Sequence, residues 1–463
     1  MGVNFSAFEI GRRALHANQI GIAVTGQNIA NVNTPGYSRQ RVLLSPSPSD
    51  GSKVRLAGNG VTVDGVRAAR DQFIESRLQT ETGITGRLEA KRDALSPLDA
   101  VFNDSTTNGG IQSALVGFFG AFRDLETRPT SVPLRVAVTS NAETLTAAFH
   151  GTRSRLVDIR AGADNALRST VDDVNTLAQK AADLNVQIRL IENTGGSASD
   201  LIDQRSETIR QLSELTGARA IETDDGLVTL TLGDGRALVA GGQAFSLAAA
   251  STPPDGLATL TLDGQPVSIT DGKIRGLQEA IGEIGAHITS LDQLAESLSA
   301  RVNTLHASGS DLDGNNGTNF FATPVSGPVT AANIDISATI KADPRLVVAA
   351  SSGAGSGDAT IARGLAGLLQ DKTSVVGTET VSYESFYAAL VTEAGRGIRS
   401  TDDALTTQQL ILAQTQAQRD SVSSVSLDEE AINLLQYQKA YEAAARFLKV
   451  ADEMTQTILS LAQ

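Results

Sequence analysis

The sequence predicts a mainly α-helical protein with a β-rich insertion, and three patterns lead to that prediction. Apolar residues recur with heptad spacing near the N-terminus, along a C-terminal stripe and again between 277 and 305. Apolar and polar residues instead alternate between 221 and 269, as they do in β-strands. We therefore expect terminal helices that pair as a coiled coil, a long-helix bundle domain and a small outer β domain.

The N-terminal helix is predicted from a seven-residue repeat that stops at a turn. The repeat consists of Phe8, Leu15, Ile22 and Ile29. A strict heptad of apolar residues is typical of a coiled-coil face. Pro35 and Gly36 supply a rigid and then a permissive backbone position, so the helix should end before them.

The C-terminal helix carries a narrow apolar stripe. Its members alternate steps of three and four residues, which places them on one side of a helix: Ala440, Ala444, Phe447, Ala451, Met454, Ile458 and Leu461. Ser426 and Glu429 before it have the spacing of a capping box. One helix pair covers only part of two such stripes, so we expect further copies or partners to cover the rest.

A hairpin and several helices are predicted after the N-terminal helix. Short apolar segments between turn residues predict extended chain from 41 to 69. Pro97 should kink or divide the helix that follows. The stripe from Val174 to Ile191 predicts a further helix that ends at Gly195-Gly196.

The alternating stretch is predicted to be an insertion between helices. Its entry and exit, near Gly217 and Ile274, should lie close in space so that the helices can continue. The heptad from Leu277 to Leu305 predicts a helix of about 30 residues, packed against the 174–191 helix in a left-handed bundle. A last internal helix is predicted from Ser382 to about Arg419.

These elements suggest three domains. At 463 residues the chain is longer than one ordinary hydrophobic core supports. We expect an inner terminal coiled-coil domain of 1–40 with 422–463, a long-helix rod domain of 41–219 with 275–421, and an inserted β-rich outer domain of 220–274.

Charge and cysteine content exclude some classes of function. The net charge of -14 would repel nucleic acid and anionic membranes, so neither is expected as a partner. The chain has no cysteine, which excludes disulfides and thiolate zinc sites. It also lacks a stretch of 18 uninterrupted apolar residues of the kind that spans a membrane.

Candidate sites for chemistry are weak. Asp311, Asp313 and Asn315 have the spacing that opens a calcium loop, but the glycine that should follow comes one position late. The four histidines lack metal-ligand spacing, and no serine lies in a nucleophile elbow. Asp203 and Arg205 are expected on an exposed, solvated helix face. We therefore predict no catalytic residue, no metal site and no cofactor, and hence no enzyme.

Three segments resemble a known family. Residues 28–37, NIANVNTPGY, resemble the signature of the bacterial flagellar axial proteins, which are the rod, hook and hook-associated proteins. The next four residues, SRQR, and the C-terminal segments LDEEA (427–431) and YQKAY (437–441) are similar to those of the hook-associated proteins.

The resemblance implies a structural component of the bacterial flagellum that self-assembles at the distal end of the hook and forms the junction between hook and filament. Its implied partners are copies of itself, the hook protein, the next hook-associated protein or filament-side subunits, and a cytoplasmic export chaperone on the C-terminal helix. It also implies secretion through the flagellar type III export channel without a cleavable signal peptide.

The assembly contacts should then lie on the terminal helices and in the signature. The residues expected there are Phe8, Leu15, Ile22, Asn28, Ile29, Asn31, Pro35, Gly36, Tyr37, Leu435, Tyr437, Tyr441, Phe447, Met454, Ile458 and Leu461.

Two alternatives remain open at this point. Another axial protein, such as the hook subunit or a distal rod subunit, would share the N-terminal signature, but the long heptad helices favour the hook-associated branch. An enzyme grafted onto an axial protein would need a carboxylate cleft or a zinc motif in the insertion. Residues 220–275 offer acidic side chains only in turns.

Overall fold

The computed structural model describes residues 2–34, 36–47, 60–103, 110–194, 196, 198–223, 226–252, 256–372 and 375–461. Long helices dominate these ranges. In chain order the helices are α1 Gly2–Ala30, α2 Gln72–Leu95, α3 Pro97–Asn103, α4 Ile111–Thr127, α5 Val132–Asn193, α6 Ser199–Thr216, α7 Gly272–Ala307, α8 Ala338–Ala342, α9 Thr360–Gly367, α10 Tyr383–Ser423 and α11 Leu427–Leu461.

The strands are short and pair antiparallel in small sheets. One hairpin consists of β1 Gln40–Pro46 and β2 Val61–Ala68. A four-stranded sheet has the order β3 Arg219–Glu222, β4 Val228–Thr231, β5 Ala237–Ala240 and β6 Gln243–Ala244, and a three-stranded sheet has β7 Leu247–Thr252, β8 Leu257–Leu262 and β9 Gln265–Pro266. The remaining pairs are β10 Gly309–Ser310 with β11 Ala350–Ser351, and β12 Val375–Val376 with β13 Glu379–Thr380.

The helical architecture with a β insertion is confirmed, and so are several boundaries. The expected hairpin forms as β1 and β2. Pro97 begins α3 directly after α2 ends, because its ring removes a backbone donor and excludes it from a helix interior. Ser382 caps α10 by accepting the amide of Ser385 at 3.2 Å.

The expected packing partner of α7 was wrong. The stretch 174–191 is only the second half of α5, a helix of 62 residues that is about 93 Å long. The helix α7 lies antiparallel to the first half instead, where Arg153 Nε donates to Asp292 Oδ1 at 2.9 Å. The first half of α5 carries a heptad stripe of its own, formed by Val138, Ala142, Leu145, Phe149 and Leu156, and this stripe was overlooked in predicting the partner.

The β strands of the insertion pack on the second half of α5 and share its hydrophobic cluster. Buried residues of this cluster come from α5, α6, the strands and the start of α7. Polar side chains of α5 also bond to the backbone of the insertion. Asn175 holds both the N–H and the C=O of Leu247 at 2.8 Å, and Asn185 donates to the carbonyl oxygens of Val228 and Gly241 at 2.8 Å. The helix therefore satisfies backbone groups that a small sheet would otherwise leave exposed.

The entry and exit of the insertion lie against each other, as expected. Gly217 ends α6 with φ +66°, and a Cβ added there would lie 2.5 Å from Asp271 Cβ. A Cβ at Gly272 would lie 2.4 Å from the backbone nitrogen of Thr216. Only glycine allows two chain segments to cross so closely.

A second hydrophobic cluster surrounds His306, which is fully buried at the end of α7. Its Nδ1 lies 2.5 Å from the carbonyl oxygen of Thr318, and its Nε2 accepts the amide of Val348 at 2.9 Å. Burial lowers the pKa of His306 to about 4, and the nearby Arg135 acts in the same direction. The imidazole is therefore neutral, with its proton on Nδ1.

We predict that His306 makes the fold acid-sensitive. The unfolded chain takes up a proton near pH 6.5 and the folded chain only near pH 4, so stability is lost as the pH falls through that window. His306→Gln should lower stability at pH 7, but its deficit relative to wild type should shrink by about 3 kcal/mol between pH 7 and 4. Urea unfolding at both pH values measures this, with the exposed His16→Gln as control. A constant deficit would contradict the prediction.

Candidate functional site: the terminal helix pair and its junction with the body

The terminal helices α1 and α11 lie antiparallel and very close together. A Cβ added at Gly11 would lie 2.6 Å from Leu448 Cγ, and one added at Gly21 would lie 2.6 Å from Tyr437 Cδ1. Ala17 on α1 and Ala444 on α11 are buried between these points. Small residues on α1 therefore receive large ones from α11. Sequence analysis missed both glycines, although their small-residue spacing on the buried side of α1 was visible.

The residues expected at assembly contacts fall into three groups. Phe8, Leu15, Ile22 and Ile29 of α1, and Tyr437 of α11, are partly buried. Leu435, Tyr441, Phe447, Met454 and Ile458 are exposed. Asn28, Asn31, Gly36 and Tyr37 belong to the signature, with Asn28 in the last turn of α1 and the other three after the helix. Pro35 and the side chain of Leu461 lie outside the residues that the structure describes.

The C-terminal stripe divides between two sides of α11. Ala444 and Ala451 are buried, whereas Ile432, Leu435, Phe447, Val450, Met454 and Ile458 are 45–59% exposed. At about 100° per residue, the middle of the exposed row lies roughly a third of a turn from the side that contacts α1. Phe447 lies at the edge of the row, since a Cβ added at Gly11 would be 3.3 Å from its Cδ1. We call these six exposed residues the outer stripe.

Asn28 is the best-connected polar residue of the signature. It is 1% exposed at the end of α1. Its Nδ2 donates to the carbonyl oxygen of Gln40 at 2.9 Å and to Glu430 Oε2 at 3.0 Å. Its Oδ1 accepts the hydroxyl of Tyr37 and the amide of Gln40, both at 2.9 Å. All the hydrogen-bonding capacity of the amide is used, so this position requires asparagine.

An ion pair lies beside Asn28. Arg39 Nε donates to Glu430 Oε1 at 2.8 Å, and its Nη1 contacts Glu429 Oε2 at 2.5 Å. Glu430 is 1% exposed, and its second oxygen is held by Asn28, so both of its carboxylate oxygens are satisfied. The backbone amide of Arg39 donates to the carbonyl oxygen of Ser423 at 2.8 Å. One residue thus connects the end of α10 with the start of α11.

The same segment is bonded to α6. The amide of Ser38 donates to Asp203 Oδ2 at 3.4 Å, and Arg70 pairs with Asp203 and donates to Ser38 Oγ at 3.0 Å. Burial raises the pKa of Asp203, although Arg70 opposes that shift. Burial, followed by the charges of Asp200, Asp203 and Glu430, raises the pKa of Tyr37 to about 12, so its phenol stays protonated and can donate to Asn28.

We refer to Asn28, residues 36–40, Ser423, Glu429 and Glu430 as the clasp. Gly36 completes it with φ +80°, which favours glycine, while its carbonyl oxygen accepts from Arg419 at 3.3 Å. Asn31 closes the preceding turn, donating to the carbonyl oxygen of Gln27 at 3.0 Å.

The expected exposure of Asp203 and Arg205 was wrong, since both are buried. Asp203 bonds the clasp, and Arg205 Nη1 donates to Asn185 Oδ1 and to the carbonyl oxygen of Gly226, both at 2.9 Å. Burial lowers the pKa of Arg205. A charged stretch with helical spacing does not show which side meets another helix, so the sequence could not distinguish the two roles.

The described residues contain no group of three or more metal-ligating side chains. The carboxylate of Asp311 instead accepts the backbone amides of Asp313 and Asn315, each at 2.9 Å, and so closes a turn. None of the helices that the structure describes is both long and apolar enough to cross a membrane.

We predict that Asn28→Ala weakens the clasp. It leaves the backbone groups of Gln40 and one oxygen of Glu430 buried without partners, which should cost about 2–4 kcal/mol. Urea unfolding followed by far-UV circular dichroism measures the loss. The exposed Asn33→Ala is the matched control from the same signature and should change stability little. Equal stability of the two variants would contradict the assigned role of Asn28.

Three family models match the chain. A flagellar hook-associated protein FlgK helical domain matches residues 95–321. A flagella basal body rod protein model matches 8–37, and a flagellar basal body rod FlgEFG protein C-terminal model matches 416–461. The last two ranges contain most of α1 with its turn, and α11, so the models cover both the terminal helices and much of the chain between them.

Relatives that match nearly the full length of this chain share the name flagellar hook-associated protein 1. Flagellar hook-associated protein 1 of Bacillus subtilis (strain 168) is 27% identical, with 99% of each chain covered, and that of Escherichia coli (strain K12) is 24% identical, with 96% of this chain and 98% of the relative covered. The fold is similar to that of the flagellar hook junction protein FlgK from Burkholderia pseudomallei, with a TM-score of 0.66 at 15% identity over 74% of this chain and 99% of that one. The chain therefore belongs to the flagellar hook-associated protein 1 family.

Proposed function

We propose that this protein self-assembles at the distal end of the flagellar hook and forms the junction between hook and filament. The observation that carries the proposal is the outer stripe of α11, six large apolar residues in a row that the single chain leaves exposed. Monomeric proteins rarely expose such a row, and its members continue over 26 residues, or about 39 Å. The chain is similar over its full length to flagellar hook-associated protein 1, which supports the hook–filament junction as the place where copies would contact one another.

The outer stripe is suited to packing between copies around an axis. Its occupant in the assembled junction is a neighbouring copy, since α1 already occupies another side of α11. The partly buried row Phe8, Leu15, Ile22 and Ile29 contributes the remaining contact surface. Hook protein would contact one end of this assembly, and the next hook-associated protein or filament-side subunits the other.

Before assembly the outer stripe needs protection. A cytoplasmic export chaperone that binds α11 would cover Phe447, Val450, Met454 and Ile458 until secretion. Export then proceeds through the flagellar type III channel without a cleavable signal peptide. In this role the protein acts through assembly and not as an enzyme.

The expected three domains remain our division of the chain, with residues 1–40 and 422–463 innermost. The antiparallel packing of α1 and α11 supports the terminal coiled-coil domain. The cluster that the β strands share with α5 and α6 favours an outer part that is anchored to the rod domain along its length.

We predict that Val450→Asp with Met454→Asp abolishes junction assembly without unfolding the chain. Both side chains are exposed, so the monomer should keep its helix content, whereas a neighbouring copy would have to bury two charges. Electron microscopy should show hooks without filaments. Leu190→Asp, on the exposed side of α5, is the matched control. Normal filaments on cells with the double variant would contradict the assigned surface.

Deletion of the coding region in the source bacterium tests the whole proposal. We expect hooks without filaments and filament protein in the culture medium. Absent hooks would instead indicate a hook or rod subunit. Normal flagella would refute a place in the axial structure.

A further inference from the structure

The chain passes between the terminal helix pair and the rest of the molecule, which we call the body, at two points. One crossing is the turn and strand entry at 31–40, and the other is the short segment 424–426 between α10 and α11. The clasp bonds the two crossings to each other, because the Arg39 amide meets Ser423 and the Arg39 side chain meets Glu429 and Glu430. Neither crossing can therefore move without the other.

The bonds of residues 36–40 go to both sides. Toward the body, Gly36 accepts from Arg419, Ser38 bonds Asp203, and the Gln40 side chain meets Asp200 at 3.3 Å. Toward the helix pair, the Tyr37 hydroxyl and the Gln40 backbone bond Asn28, and the Arg39 guanidinium bonds Glu430. Residues 36–40 therefore bond both the body and the helix pair.

We propose that the ion pair between Arg39 and Glu430 sets the direction of the α1–α11 pair relative to the body. Glu430 is then a positioning residue for the outer stripe. The purpose of this positioning rests on the proposed function, whereas the positioning itself is a property of the single chain.

The placement of Glu430 favours a directional role. It lies in the first turn of α11, and its two oxygens hold two different segments, Arg39 through Oε1 and the end of α1 through Oε2. A buried carboxylate tolerates little displacement from its partners, because each lost bond leaves a charge without compensation. Glu429 beside it is 61% exposed and is screened by water, so it contributes little to direction.

Distance amplifies any change at this point. Ile458 lies 28 residues beyond Glu430, which is about 42 Å along the helix. A tilt of about 10° at the clasp would therefore move Ile458 by about 7 Å, more than the spacing between neighbouring side chains on a helix surface. Contacts between copies along the outer stripe require the angle to be held closely.

The absence of cysteine permits a direct test by spin labelling of the full chain. Labels at Gln438→Cys on α11 and Leu410→Cys on α10 report the angle between the helix pair and the body. Labels at Gln19→Cys and Gln438→Cys report the pair itself. All three positions are exposed.

We expect one narrow distance for each label pair in the otherwise unchanged chain. In Glu430→Leu and in Arg39→Met, the distance between the helix pair and the body should lose its single narrow maximum, while the distance within the pair stays narrow. Asp428→Leu, at an exposed acidic position in the same first turn of α11, is the matched control and should leave both distances unchanged. A narrow distance between pair and body in either test variant would overturn the proposal.

Loss of the narrow maximum for both label pairs would also overturn the proposal, because Glu430 would then hold α1 and α11 together without setting the direction of the pair. The result is separable from the proposed function. If the double variant at Val450 and Met454 assembles normally, the proposed function fails, and the label distances still decide the role of Glu430.

Discussion

The arrangement of the molecule depends on one buried polar unit, in which the carboxylate of Glu430 is held by both Asn28 and Arg39. An amide, a guanidinium and a carboxylate are costly to remove from water individually. Here the Glu430 carboxylate accepts from both Asn28 and Arg39, and the Asn28 amide also bonds the backbone of Gln40. Apolar packing would hold the terminal helices near the body in many similar orientations. Directional bonds select one of them, which a structural subunit needs more than additional stability.

Periodicity predicted the helices well and their neighbours poorly. The heptad of α7 and the alternation of β4 and β5 were evident because each element repeats one pattern over its own length. The partner of α7 was missed, because the predicted helix began at Val174, whereas the heptad stripe of the 62-residue α5 starts at Val138. Asp203 and Arg205 show the same difficulty, since the side of a charged helix that meets another element depends on tertiary packing.

The candidate site was predicted in part, through its signature and not through its chemistry. Asn28, Gly36 and Tyr37 were selected because of a resemblance, and the structure gives each a physical task. Arg39 and Glu430 lie in the segments that carry the resemblance, but no role was predicted for either. Glu430 is one of three acidic residues in the first turn of α11, where acidic residues are expected from the helix dipole alone. Gly11 and Gly21 were missed because a search for large apolar residues does not find helix contacts that depend on the small size of glycine.

The length of α5 has a mechanical consequence. Its first half contributes to the cluster around His306 and its second half to the cluster under the β strands, with no break between them. Two cores joined by a flexible linker would bend at the linker under load. Cores that share one continuous helix resist bending and twisting relative to each other, because any such motion would have to deform α5 itself.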